Sequence, residues 1–460
     1  MTQAAPGRLT LEDLRAQIAA GEIDTVIVAM VDMQGRLMGK RVTGRFFADE
    51  VAHSGAHACS YLLGCDVEME PLPGYRLTSW DTGYHDVRLV PDVETLRRLP
   101  WLERTALVLC DVVDEAGEPV PESPRQILRR QVERARERGF QLMAASELEF
   151  YVFRETYESA RMKHYHDLNL YGHYSEDYHI LQGTKEEWLI RQFRNGLDAA
   201  GVPVEFSKGE WGAGQHELNL RYTTPVEMAD RHTLMKHGAK EIAALNQVAV
   251  TFMAKWRADA AGSSCHLHSS VWDRDGRRSL FWEDGGHPLG MSALFRHYLA
   301  GQLAGARELA YFYAPYVNSY KRYVAGTFAP VLAVWSHDNR TVGFRVVGEG
   351  QSLRLENRIP GADVNPYLSF AATIAAGLWG IERKLEPPAM FEGDAYKAEG
   401  LPRVPGTLRE AVAELERSEL ARDAFGDRVV DHYLHTARLE QQAYDRAVTC
   451  WELARNFERI

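Results

Sequence analysis

Little in this chain restricts its fold as much as the run FQLMAASELEFYVF at residues 140–153, a strand-like stretch with two glutamates set two positions apart among apolar residues. On a β-strand, residues two apart point to the same face, so Glu147 and Glu149 project together. Carboxylates that close repel each other unless a cation neutralises them. Further candidate ligands are Glu210 and Glu217 in EWGAGQHE, His266 in SCHLH and Glu356 in RLENR, each beside apolar residues or glycines. Taken singly, any of these glutamates is as readily a solvated surface charge. Together, five carboxylates and one imidazole exceed one ordinary site and suit a pair of divalent ions. The oxygen-rich donor set selects Mg²⁺ or Mn²⁺ over zinc.

At 460 residues the chain is longer than one hydrophobic core usually organises. A formal charge of −11 argues against non-specific nucleic-acid binding. No apolar run reaches membrane-spanning length, and MTQAAPGRLTLEDL lacks a signal-peptide layout. Five scattered cysteines without CxxC spacing imply reduced thiols in the cytoplasm.

Thr10 to Ala20 reads as a short amphipathic helix, TVIVAMVDMQGRLMGKRV as a hairpin turning at Asp32 to Gly35, and Phe46 to Val51 as a helix. WDTGYHDVRLVPD and TALVLCDVVD add strands to a small sheet-rich domain. The Pro-, Gly- and Glu-rich EAGEPVPESPR marks its boundary, which places domains at 1–116 and 117–460. PRQILRRQVERARERG has proline at its start and glycine at its end, as a helix should. Beyond it, strands (FQLMAASELEFYVF, HELNLRY, AVTFMAKW, CHLHSSVW, TVGFRVV, LRLENRI) alternate with helices, and 406–460 reads as wholly helical. The expected class is α+β, with a mainly antiparallel catalytic sheet backed by helices.

SELEF, GAGQHE, CHLH, NSYKR, LRLENR and VNPYL, in that set, resemble type I glutamine synthetases over nearly the whole chain. The resemblance implies a small β-grasp domain that completes a neighbour's active site, a curved catalytic sheet, and a ring-shaped homo-oligomer of two stacked hexamers. It implies ATP and glutamate as substrates and two or more Mg²⁺ or Mn²⁺ ions. Glu149, Glu210 and Glu217 would hold one ion, and Glu147, His266 and Glu356 the other. Arg322 and Arg358 would grip glutamate, with Gly262 beside it; Arg340 and Arg345 would face the transferring phosphate; His268, Ser270 and Arg354 would lie near the nucleotide. Arg322 and Arg340 would thus serve the chemical step. A P-loop is absent, so arginines and metals must neutralise the phosphates. Gln215 and His216 form a polar patch to which the sequence assigns no role.

Departures from the family pattern gather on the ammonium side. Phe328 in AGTFAP stands where the family carries a loop glutamate, HACSYLLGCD lacks the family's Asp-Gly-Ser-Ser, and YGHYSEDY replaces its glycine-tyrosine segment. Ammonium needs fixed carboxylate acceptors. Their loss points to a larger organic amine (polyamine, ethanolamine or alkylamine) attacking γ-glutamyl phosphate, with Phe328 in its pocket. The alternatives are a glutamine synthetase using ammonia and a non-catalytic regulator.

Overall fold

The computed structural model describes residues 7–285 and 287–460. Residues 1–6, which begin the stretch read for a signal peptide, lie outside them.

The strands in chain order are β1 (Thr25–Val31), β2 (Leu37–Thr43), β3 (Ala56–Cys59), β4 (Asp86–Pro91), β5 (Arg97–Arg98), β6 (Thr105–Val113) and β7 (Phe140–Phe153). They continue with β8 (Val204–Gly209), β9 (Gln215–Leu220), β10 (Ala249–Thr251), β11 (Cys265–Asp273), β12 (Trp335–His337), β13 (Phe344–Val347) and β14 (Arg354–Asn357). Six form a sheet ordered β2-β1-β6-β4-β3, with β5 on β6. The β1–β2 hairpin turns at Asp32–Gly35, where the Asp32 carboxylate accepts from the Arg36 N–H at 2.8 Å. β1 pairs in parallel with β6, and its near-continuous apolar run is buried on both faces. Val26, Val28 and Met30 pack into a core of the small sheet, whereas Ile27, Ala29 and Val31 join the main core.

The other eight strands form a sheet ordered β12-β13-β14-β11-β7-β9-β8, with β10 on β7; every pairing is antiparallel except β12 with β13. β7 is its spine. Leu142, Ala144, Ser146 and Leu148 are buried, while Met143, Ala145 and Glu147 are only partly covered on the opposite face. Helices Pro124–Glu137 and Pro225–Leu245 back the sheet, Pro366–Arg383 packs against both, and each of the three opens on a proline whose missing N–H costs nothing at a first turn. The predicted tail helix is four helices, Leu408–Glu416, Glu419–Phe425, Asp427–Arg446 and Cys450–Asn456, separated by short breaks. AVTFMAKW contributes only the short β10. Among the described residues, no helix is long and apolar enough to cross a membrane.

Arg125, 2% exposed, ties the two sheets' elements together. Its guanidinium donates to Asp230 on helix Pro225–Leu245 at 3.0 and 3.1 Å, to Asp111 on β6 at 2.6 Å and to Asp92 after β4 at 2.7 Å. Arg125→Ala would leave Asp230 buried without its cation. It should lower unfolding stability by about 3–5 kcal/mol in a chemical-denaturation measurement.

Candidate active site

Cross-strand register, more than sequence proximity, assembles the candidate ligands. Glu147 lies opposite His266 on β11 and Asn219 on β9, and Glu149 lies opposite Glu217. Glu356 on β14 lies opposite His268 on one side and Arg345 on the other. Such directly opposed residues have neighbouring Cβ atoms. His266 Nδ1 is 3.2 Å from Glu147 Oε2 and 3.4 Å from Glu356 Oε1. Two compact ligand groups result, Glu147–His266–Glu356 and Glu149–Glu217–His266, with His266 in both. Glu210 stands apart from these groups, its carboxylate paired with Lys208.

Neighbouring donors aim these carboxylates. The Ser264 N–H donates to Glu149 Oε2 at 2.8 Å, and Gln215 Nε2 reaches the same oxygen at 3.2 Å. Asn219 Nδ2 donates to Glu217 Oε1 at 2.8 Å. His268 accepts from Arg354 Nε at Nδ1 (3.2 Å), so its Nε2–H is the donor to Glu147 Oε1 at 2.9 Å. Gln215, left without a role by the sequence, therefore orients Glu149. His216, its neighbour, points from the other side of β9.

Electrostatics divides the carboxylates. Burial and the Glu210 charge push Glu149 up to about 7. Burial and the charges of Glu147, Glu210 and Glu149 hold Glu217 well above the usual range. Burial acts against Glu356 too, but Arg358 and His266 bring it down to about 2. His268 and His266 likewise overcome burial at Glu147 and hold it below the usual range. Both shifts favour protons on Glu149 and Glu217 until a cation supplies the positive charge, which is the signature of a site built for one. Binding must expel those protons. The affinity for Mn²⁺ should accordingly strengthen as pH rises through about 7, the value to which Glu149 is pushed. His266 is held below its usual value by burial and by Arg358, which favours the neutral imidazole that binds metal. Isothermal titration in buffers of different ionisation enthalpy would count the protons released; a pH-independent affinity with none released would refute this reading of the cluster.

Glu147 and Phe206 line two adjoining cavities, of about 240 and 440 Å³. The smaller contains Glu149, Glu210, Glu217, His266 and Glu356 together with Arg322, Arg340, Arg345 and Arg358. Arg322 is held by the carbonyls of Arg358 and Pro360, both at 2.9 Å, and a Cβ on Gly262 would come within 2.5 Å of its Cγ. The Nε atoms of Arg322 and Arg358 are buried without a partner among the described residues. Two such donors in one cavity suit an anion. Arg345 bridges Glu356 at 3.0 Å and Asp338, while Arg340 is exposed at the rim. The larger cavity is lined by His268, Ser270, Arg354, Tyr222 and Trp272, and it is the more apolar half.

Phe328 lines the smaller cavity and forms an aromatic wall with Trp211, their ring centroids 5.9 Å apart and their planes inclined at 62°. Its φ of 58° is a left-handed conformation unusual for a bulky residue, and such strain gathers at functional sites. Tyr178 and Asp177 complete this side. Lys208 Nζ lies 4.4 Å from the Tyr178 ring centre and 3.3 Å from Asp177 Oδ1, and pairs with Glu210. That nest already accommodates one primary alkylammonium, the chain's own. Trp211, Tyr178, Asp177 and Lys208 escaped the sequence reading, since a loop or a short strand carries each of them. YGHYSEDY was the available signal.

Residues 121–456 match the glutamine synthetase catalytic domain. The chain belongs to the glutamine synthetase family, with the family's α+β fold; members use divalent metals and ATP. Among individual relatives, it is 51% identical to a γ-glutamylethanolamide synthetase, GlnA4, of Streptomyces coelicolor, over 98% of this chain and 96% of that one. It is 37% identical to a glutamate–isopropylamine ligase of a Pseudomonas species, over 97% and 98%. A solved structure described as a GmaS/ADP complex superposes with a TM-score of 0.84 at 28% identity, covering 97% of this chain and 99% of that chain.

Proposed function

We propose that this chain is an ATP-dependent ligase that joins the γ-carboxylate of glutamate to a primary organic amine. The aromatic wall of Phe328 and Trp211, facing the carboxylate cluster across one cavity, carries the reading. Relatives named for ethanolamine and isopropylamine support it.

Glutamate occupies the smaller cavity, gripped by Arg322 and Arg358, with Gly262 leaving space for the Arg322 stem. ATP occupies the larger one beside His268, Ser270 and Arg354, its γ-phosphate directed past Glu147. A γ-carboxylate oxygen attacks the γ-phosphorus, the bond to the β-phosphate oxygen breaks, and ADP leaves. Arg340 and Arg345 face the transferring group and spread its charge. The free amine attacks the acyl carbon of γ-glutamyl phosphate, and the departing inorganic phosphate takes up the proton that the nitrogen sheds as the amide forms. Glu149, Glu210 and Glu217 would hold one Mg²⁺ or Mn²⁺ and Glu147, His266 and Glu356 a second; such ions neutralise phosphate and carboxylate charge. Glu210 must exchange Lys208 for the ion.

Phosphate release from ATP and glutamate, measured with ammonium, ethanolamine, isopropylamine and a polyamine in turn, tests the reading. A primary amine should exceed ammonium at matched concentration. Preference for ammonium would return the chain to glutamine synthesis, and no turnover with any would make it a regulator.

The same reading makes residues 1–116 a β-grasp domain that completes a neighbour's site in a cytoplasmic homododecamer, the catalytic domain occupying 117–460. Unpaired cysteines and the exposed apolar side chains of Trp451, Phe457 and Ile460 support it. Light scattering that found a fully active monomer would overturn the assembly.

A further inference from the structure

On the reverse side of β9 from Glu217, His216 meets Glu176 and Glu186, which belong to the segment leading from β7 to β8. Each of the three is 2% exposed. His216 Nε2 bonds Glu186 and lies 3.6 Å from Glu176 Oε2; one ligand atom from each residue falls within 4.8 Å of the others. Among the described residues, Glu176 Oε2 has no hydrogen-bond partner, and it is directed at this centre. Neither carboxylate has a lysine or arginine partner among the described residues. With both carboxylates ionised, at most one imidazolium would leave a net negative charge in the interior, which is costly unless a proton or a cation enters. One divalent ion with a neutral imidazole removes it.

We propose that Glu176, Glu186 and His216 form a further metal site, separate from the carboxylate cluster of the cavity, that takes a Zn²⁺ ion. The donor set, one imidazole nitrogen and two carboxylate oxygens, equals that of Glu147, His266 and Glu356, but here each residue is 2% exposed, and so enclosed a position suits four-coordinate zinc with one water better than an octahedral ion that keeps several. Tetrahedral ligand atoms about 2.1 Å from an ion lie roughly 3.4 Å apart, close to the observed separation of Glu176 Oε2 from His216 Nε2. Gly172 is the residue that admits the pair, for a Cβ there would stand 2.1 Å from Glu176 Oε1 and 2.9 Å from Glu186 Oε1. Asp177 and Tyr178, which follow Glu176 directly, line the cavity on its aromatic side. The ion would therefore pin the pocket-lining segment to the strand that bears Gln215 and Glu217. The role is structural positioning, distinct from the chemical step.

The full-length protein, stripped by chelator, reloaded with Zn²⁺ in a large excess of Mg²⁺ and gel-filtered, should retain about one Zn²⁺ per chain. Glu176→Gln, Glu186→Gln and Gly172→Ala should each lose that equivalent. Anomalous diffraction at the zinc edge from wild-type crystals should place the ion about 2.1 Å from His216 Nε2, whether or not the variants fold. Wild-type protein that retains no zinc, variants that retain it in full, or an anomalous peak elsewhere would each overturn the proposal. None of these outcomes depends on which amine the enzyme uses.

Discussion

Glu149→Ala should lower turnover about a thousandfold or more at saturating Mg²⁺, the several kcal/mol that a charge-neutralising cation supplies to a transition state. Glu149 is the carboxylate on which most of the site converges. The Ser264 N–H and Gln215 Nε2 fix its oxygen, Glu217 faces it across the strands, and burial beside Glu210 pushes it up to about 7. Loss of folding is not the expected cause. A carboxyl group held above its unfolded value is most favourable while protonated, and that advantage disappears as pH rises through about 7. Without metal at pH 8, the alanine variant should be no less stable than the wild type. Thermal unfolding with and without Mn²⁺ separates the two effects: metal should raise the midpoint of the wild type far more than that of the variant. Near-normal turnover in the variant would refute the metal assignment.

Phe328→Glu should cost about tenfold or more in kcat/KM for an ethanolamine-sized amine. It sets a charge against Trp211 where an apolar surface stood, and desolvating that charge opposes substrate entry. Ammonium activity should recover little. The segment Cys59 to Asp66 still lacks the family's aspartate, and the neighbouring acids, Asp177 and Glu210, are engaged with Lys208. The left-handed backbone at residue 328 strains glutamate as much as phenylalanine, so the comparison isolates the side chain. Phosphate release with each nucleophile reads the result. A wild-type protein faster with ammonium, or a variant unchanged with the amine, would remove Phe328 from the pocket.

The sequence by itself determined the elements whose face follows from a local period. β7 spans the very residues of its alternating run, so Glu147 and Glu149 were legible as neighbours before any strand was paired. The turn at Asp32–Gly35 and the proline-led helix Pro124–Glu137 follow from backbone chemistry of the residues themselves. The helix Pro366–Arg383 gave no such signal. Buried nearly all round, it is apolar on every side and has no stripe to read. Short β8 and β12 were missed for a related reason, being too brief to establish a period.

Tertiary structure alone decided which side chains share a site, because strand register joins residues far apart in the chain. It set His266 between two carboxylate groups, directed Arg354 onto His268, and gave Glu210 to Lys208. It also separated Gln215 from His216, adjacent in sequence yet on opposite faces of β9. One serves Glu149, and the other faces a pair of glutamates thirty or more positions away. Sequence period fixes the direction in which a strand residue points, but what it meets there is set by the neighbouring strand, which only the folded sheet supplies.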